Sequence, residues 1–363
     1  MFQYQLKIDG QMAQSASIDK LQQEWISGQR WILFSPLLMI ICTLSIAVVL
    51  GKSWEERLAL DRPAILLQGA GPKEMPVLEG AKGTQVYQRI RESGGTVSAD
   101  YGFLNFNNDP LSVNFSVASR ELAVYKHDYG YTRSERAAID TWQKDALDDA
   151  YQYAVKHQQS QEQLNKASER ITADYKEKVS GFFRSRGFKV LEGNLLVVDL
   201  PEIARRNVKK LRSIAVSINN SGEKLGYDSD SVIAAALSLV QTALRYENVP
   251  VEIAGRQTGG LLPPLEAITS GKGDCDTKVA LLASILLNWN RIKIVGVGVP
   301  GHYLMGVLRN PAKGDAFVDY KGLHYVLIEP AGPGWLPPGS IDKKTAALLN
   351  ANSRIRIEPI TAN

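Results

Sequence analysis

Residues 271–283 read GKGDCDTKVALLA, with two glycines, an aspartate and a cysteine ahead of an apolar run at helical spacing. Gly271 and Gly273 accept positive φ cheaply, so a tight turn precedes the cysteine. Asp274 is a strong N-cap residue. Ala280, Leu281, Ala283, Leu286 and Leu287 leave almost no polar face, and the helix they form is expected to be buried. Cys275 then occupies the first turn of that helix, beside N–H groups without intrahelical partners. Those groups favour an anion by about 0.3–1 kcal/mol, which is less than one pKa unit at about 1.36 kcal/mol per unit. Asp274 and Asp276 oppose them. A helix terminus alone therefore does not activate this thiol; a cationic partner is needed, usually an imidazolium.

Downstream, RIKIVGVGV, HYLMGVL, DAFVDY and HYVLIEP are four β-rich runs with short breaks, expected to form an antiparallel sheet. His302 follows Val299-Pro300-Gly301 at the head of one run, 27 residues after Cys275. One helix, one strand and a turn fit that interval, so His302 is the candidate partner of the sulfur. His127 and His157 lie upstream and read as surface or packing residues; His324 sits in a strand. A third group should orient the imidazole. Glu329 ends the LIEP strand and is the first candidate, with Asp319 in FVDY as the alternative acid.

Upstream, DSVIAAALSLVQTALRYEN reads as a helix capped by Asp230. It carries Gln241, a candidate oxyanion donor alongside the Cys275 N–H. Residues 186–201 read as two short strands around Glu192-Gly193-Asn194, and Pro201 opens a further helix. Residues 133–184 follow helical spacing through Ile139, Trp142, Tyr153, Ile171 and Tyr175. Ser134 is the expected cap, without a capping box because Ala137 stands three residues on. Residues 95–125 are rich in Val, Phe, Tyr and Ser and read as a few β-strands.

The stretch WILFSPLLMIICTLSIAVVLG, residues 31–51, contains no charge. As a helix it would span roughly 30 Å, the thickness of a bilayer core. The expected organisation is thus a tail (1–30), a transmembrane helix (31–51), a linker with a small β-rich region (52–132), a helical region with short strands (133–227) and a catalytic domain (228–363). Charges flanking the span are balanced; the habit of single-span anchors puts the bulk of the chain on the extracytoplasmic, periplasmic side.

Composition narrows the partners. A net charge of +4 from 42 basic and 38 acidic residues, with no basic run interleaved with aromatics, argues against a nucleic-acid partner. The two cysteines, Cys42 and Cys275, are not expected to pair, and no Cys/His cluster has zinc-ligand spacing. No metal or other cofactor is expected. The stretch SGKGDCDT lacks the first glycine of a phosphate loop and has Gly273 where Ser or Thr is required.

Taken together, GKGDCDTKVALLASILL, GHYLMGV and HYVLIEPAGPG, with LVQTALRYEN upstream, resemble the transglutaminase-like superfamily, and within it the bacterial transglutaminase-like cysteine peptidases. The resemblance covers about residues 228–335. It implies an α+β fold with a papain/transglutaminase-like core, a buried Cys-bearing helix on an antiparallel sheet. It further implies a thiolate–imidazolium pair oriented by an acid, with Cys275, His302 and Glu329 in those roles, and a thioester formed with a protein substrate. The family's acid is commonly Asp; Glu329 is one methylene longer. The expected function is a membrane-anchored cysteine peptidase. A transamidase or amidase with the same triad is the alternative, as is a non-catalytic scaffold of a membrane assembly using the 133–184 helical region as its contact surface.

Overall fold

A computed structural model describes residues 6–7, 86–192, 195–332, 334–351 and 355–361. The body opens with an antiparallel sheet of β1 (Tyr87–Ser93), β2 (Thr96–Leu104) and β3 (Pro110–Ala118). In β3 the alternation is strict: Leu111, Val113, Phe115 and Val117 point inward and their neighbours face solvent. Helix α1 (Ser119–Asp128) and strand β4 (Tyr131–Thr132) lead into two long helices, α2 (Arg133–Lys156) and α3 (Gln161–Ser185), packed on each other. The cap of α2 is Thr132, not Ser134. Its hydroxyl accepts from the Glu135 N–H while the Glu135 carboxylate accepts from the Thr132 N–H, closing a capping box two residues before the expected cap, where none was expected. A second box, Ser160 with Gln163, restarts the chain as α3. The pair is mostly solvated; Tyr151, Tyr153 and Val155 are exposed along α2.

A hairpin of β5 (Phe188–Leu191) and β6 (Leu195–Val198) precedes α4 (Leu200–Asn207), capped by Asp199. Helices α5 (Arg212–Leu225) and α6 (Ser229–Ser238) follow. Asp228 caps α6 instead of Asp230, and the helix ends in one π-helical turn, Leu239–Ala243. Three two-residue strands come next, β7 (Arg245–Tyr246), β8 (Glu252–Ile253) and β9 (Arg256–Gln257). Then come α7 (Pro264–Ser270), β10 (Lys272–Gly273) and the cysteine helix α8 (Cys275–Leu286). Strands β11 (Ile294–Val299), β12 (His302–Leu308), β13 (Phe317–Tyr320) and β14 (Leu323–Ile328) match the four runs of the sequence. After α9 (Lys343–Asn350), the strand β15 (Arg356–Pro359) returns to the edge of β11. The resulting antiparallel sheet has five strands in the order β13-β14-β12-β11-β15.

Helix α8 is the centre of the packing. Val279 to Ala283, Ile285 and Leu286 have no exposed surface. Each large aliphatic side chain so placed contributes about 1.5–3 kcal/mol relative to exposure. One apolar core joins α8 to Tyr101, Phe103 and Phe115 of the first sheet, to Ile214 and Leu237 of the helices, and to Tyr303 and Met305 of β12. The opposite face of the five-stranded sheet, with Val295, Val297, Leu304 and Leu327, packs on Ile341 and on Leu349 of α9.

The expected α+β class with an N-terminal membrane helix is corrected. The architecture is mixed α/β with a curled antiparallel sheet. Helices and strands are interleaved along the chain, and the first sheet shares a core with α8 because its inward stripe of Tyr and Phe needs the same apolar partner. Among the described residues, no helix is long and apolar enough to cross a membrane. The stretch 31–51 lies outside the described residues.

Candidate active site

The site begins with the turn that delivers Cys275. Gly273 pairs in parallel with Tyr246, and Lys272 with Arg245, so β7 and β10 clamp the approach to α8. The Asp274 carboxylate accepts from the Thr277 N–H at 3.1 Å, which fixes the first turn. The Thr277 hydroxyl accepts from the Leu262 N–H at 3.0 Å and ties the preceding loop to the same turn. Cys275 is the first residue of the helix, a free thiol only 6% exposed.

The imidazole arrives from the sheet. Val299 and His302 face each other across a two-residue turn of Pro300 and Gly301, where Gly301 takes φ 76°. That value is in the left-handed region, where glycine has no steric penalty. His302 therefore stands at the first position of β12, the strand on which α8 packs. The next residue, Tyr303, is fully buried, and its ring lies against Gly296 so closely that any Cβ there would overlap the phenol. The Tyr303 hydroxyl donates to Glu358 at 3.0 Å, and its main chain lies near enough to the Cys275 sulfur to favour the thiolate slightly against burial.

Glu329 lies directly after β14. His302 Nε2 and Glu329 Oε2 are 2.8 Å apart, with Nε2–H donating to the carboxylate. Glu329 is 3% exposed, and Oε2 also accepts from Thr345 Oγ1 at 3.3 Å while Oε1 accepts from the Ala331 N–H at 3.4 Å. With Nε2 engaged, Nδ1 is the ring nitrogen left for the sulfur. Asp319, the alternative acid, is elsewhere. It accepts from the Gly322 N–H at 3.1 Å in the β13–β14 turn and sits 3.5 Å from His324 Nδ1.

Gln241 is buried, and its amide is fully engaged. Nε2 donates to the carbonyls of Glu329 at 2.6 Å and Leu336 at 3.5 Å, while Oε1 accepts from the Leu336 N–H at 2.8 Å. It braces the segment behind the acid instead of offering a donor to a thioester oxygen, which corrects the oxyanion assignment. The π turn is what aims it inward, and nothing in LVQTALRYEN signals that turn.

The electrostatics around the sulfur differ from a ready thiolate. Burial and the carboxylates of Asp276 and Asp274 push the Cys275 thiol up to about 12. Its S–H donates to Asp276 Oδ1 at 3.5 Å. Burial, then Asp274, raises Asp276 to about 6, against the opposing field of His302. Tyr246 at the rim is raised to about 12 by burial and by Cys275, Asp274, Asp276 and Glu329. The site is therefore neutral at the sulfur and acidic around it.

Two residues of this environment were not foreseen, Asp342 and Thr345. Asp342 caps α9 and accepts from Thr345 Oγ1 at 2.5 Å. Burial disfavours its charge, but hydrogen bonds from Thr345 and Lys344 and the field of His302 bring it below the usual range. Polar atoms of His302, Glu329 and Asp342 fall within 4.8 Å of one another. Two of these atoms, His302 Nε2 and Glu329 Oε2, are joined in the 2.8 Å hydrogen bond. Comparison with known proteins finds no matching family model, curated protein or solved structure.

Proposed function

We propose that this protein is a cysteine enzyme of acyl transfer, a peptidase of transglutaminase-like type acting on a protein substrate. The observation that carries the reading is the His302–Glu329 pair at 2.8 Å, with His302 at the head of the strand on which the Cys275 helix packs. In the reaction, His302 Nδ1 takes the thiol proton as the sulfur attacks the acyl carbon. The tetrahedral adduct collapses to a thioester, and the imidazolium returns the proton to the leaving amine. Water, activated by the same nitrogen, then releases the acid and restores the thiol. An amine in place of water gives transamidation through the same groups. The Cys275 N–H at the helix start is a donor for the developing oxyanion. The deep burial of Cys275 also suits a second reading, a non-catalytic scaffold that contacts a partner through α2 and α3.

An activated ester separates the two. The full chain is incubated with p-nitrophenyl acetate, and acetylation of the Cys275 peptide is followed by mass spectrometry. The enzyme reading expects acylation at least about a hundredfold faster than that of free cysteine, lost in His302→Ala. Acylation no faster than free cysteine and indifferent to His302→Ala leaves the scaffold.

A further inference from the structure

We propose that Asp276 is a positioning residue that holds the Cys275 hydrogen in the free protein and so sets the pH at which the sulfur becomes a nucleophile. The inference rests on the reading of Cys275 as the reacting group. Asp276 has no evident duty in folding. The N-cap role belongs to Asp274, whose carboxylate takes the Thr277 N–H. Among the described residues, Asp276 forms no ion pair within 4.0 Å, and its hydrogen bond is with the thiol, at 3.5 Å. A half-buried carboxylate without a cation is costly to keep ionised, and a fold with no use for it would do better with a neutral residue.

Burial acts most strongly on the sulfur, and among the charges that act on it Asp276 is the first. It faces Asp274 on its own turn and His302 on β12, and its field reaches the buried phenols of Tyr129 and Tyr303. The sulfur is faced by Asp274, by Tyr246 from β7 and by the main chain of Tyr303. Glu329 and Asp342 act on it through the imidazole they flank. The nearby lysines are committed elsewhere: Lys278 donates to the Leu244 carbonyl at 2.8 Å, and Lys272 pairs with Glu247 at 2.5 Å. Neither lysine is thus on hand to favour the thiolate.

The proton balance follows. At rest the proton is on sulfur and is donated to Asp276. On activation the S–H bond breaks, the proton passes to His302 Nδ1, and the electron pair stays on sulfur. Asp276 keeps its negative charge throughout. It opposes the thiolate and favours the imidazolium, so the pair forms only when a substrate engages the sulfur or shields the carboxylate. The site is latent until occupied.

The test is the pH profile of iodoacetamide alkylation at Cys275 in the full chain, read from the Cys275 peptide between about pH 6 and 11; the unaltered thiol, pushed up to about 12, gives only the rising limb there, and displacement of that limb along the pH axis reads the change in midpoint. In Asp276→Asn the midpoint is expected to fall by at least about one unit, a tenfold gain in thiolate fraction at a given pH below both midpoints. Asp276→Glu keeps the charge and should keep the high midpoint. A merely structural residue would not move the midpoint. Circular dichroism checks the fold, and Asp276→Ser supplies the same comparison should the Asn variant not fold. An unchanged or raised midpoint in the folded neutral variant overturns the proposal. Its failure is separable from failure of the enzyme reading. A shifted midpoint without ester turnover keeps the restraint and removes the enzyme, whereas turnover with an unshifted midpoint does the reverse.

Discussion

Replacing Glu329 with Gln should lower the rate of Cys275 acylation by about a thousandfold while leaving the protein folded. The size follows from what the acid does for the ring. Glu329 Oε2 accepts from His302 Nε2 at 2.8 Å, which fixes the tautomer with its proton on Nε2 and leaves Nδ1 as a base for the thiol. A Gln amide nitrogen in that place donates to Nε2 and drives the ring proton to Nδ1. Nδ1, the base in the proposed reaction, then carries a hydrogen and accepts nothing. The imidazolium formed on attack also loses its counter-charge. Losses of about this size follow when such an orienting acid is neutralised with its geometry kept. The remaining contacts of Glu329 are undemanding: the Ala331 N–H can still find the amide oxygen, and Thr345 Oγ1 keeps its bond to Asp342 at 2.5 Å. Glu329→Asp shortens the arm by one methylene, lengthens the Nε2 contact and should cost about tenfold. Asp319→Asn, in a distant turn, should change nothing. Initial rates with p-nitrophenyl acetate, beside thermal unfolding of each variant, decide the matter. A Glu329→Gln rate within about threefold of the unaltered chain would remove Glu329 from the machinery.

Legibility in the sequence followed the range of the interactions. The turn, cap and helix of GKGDCDTKVALLA depend on neighbours three or four residues apart, and Asp274, Cys275 and the buried run appear in the structure as read. The strands of the second sheet were legible because each is a short β-branched run closed by turn residues, and Pro300-Gly301 marks the reversal before His302. Gln241 was misread because a π turn, invisible in an Ala/Leu-rich helix, rotates it into the core. Asp342 and Thr345 were missed because DKKT is an ordinary helix start. Only the packing of α9 on the sheet brings it beside Glu329. The strand β15 was missed for a similar reason, since RIEP has too few residues to show a period. The charge state of the sulfur was legible in part: Asp274 and Asp276 are read in the sequence as opposing a thiolate, and the resemblance implies a thiolate–imidazolium pair, but the burial that acts most strongly on the thiol is a three-dimensional sum.

Lys278→Met should make the protein more stable at pH 6 and less stable at pH 10 than the unaltered chain. Lys278 is fully buried one turn beyond Cys275, and burial lowers its ammonium to about 7, with Glu329 pulling the other way. In the unfolded chain the group titrates near 10.5. Between those values the unfolded chain binds a proton that the folded one lacks, so stability rises with pH across that window. Below about pH 7 both states are protonated, and the whole penalty of the buried charge is present, of order 4–5 kcal/mol for the full shift. Above about 10.5 it is gone. Methionine matches the volume and removes the charge, but it leaves the Leu244 carbonyl without its donor, a loss of about 1–3 kcal/mol. At pH 6 the first quantity exceeds the second, and Met wins; at pH 10 less than about 1 kcal/mol of the first remains, and Lys wins. Urea unfolding of the two proteins across this range should give curves that cross between about pH 8 and 10, where the remaining charge penalty of about 1.36 kcal/mol per unit below 10.5 equals the lost hydrogen bond. Parallel curves would mean that water or a carboxylate keeps the buried ammonium charged. The residue also has a place in the site. Lys278 ties α8 to Leu244, just past the π turn, and Gln241 on that turn holds the Glu329 carbonyl at 2.6 Å. The cysteine helix and the acid are linked through this brace. The Met variant should therefore lose acylation rate more than its stability at pH 6 would suggest, because α8 is freed to shift against the strand that carries the acid.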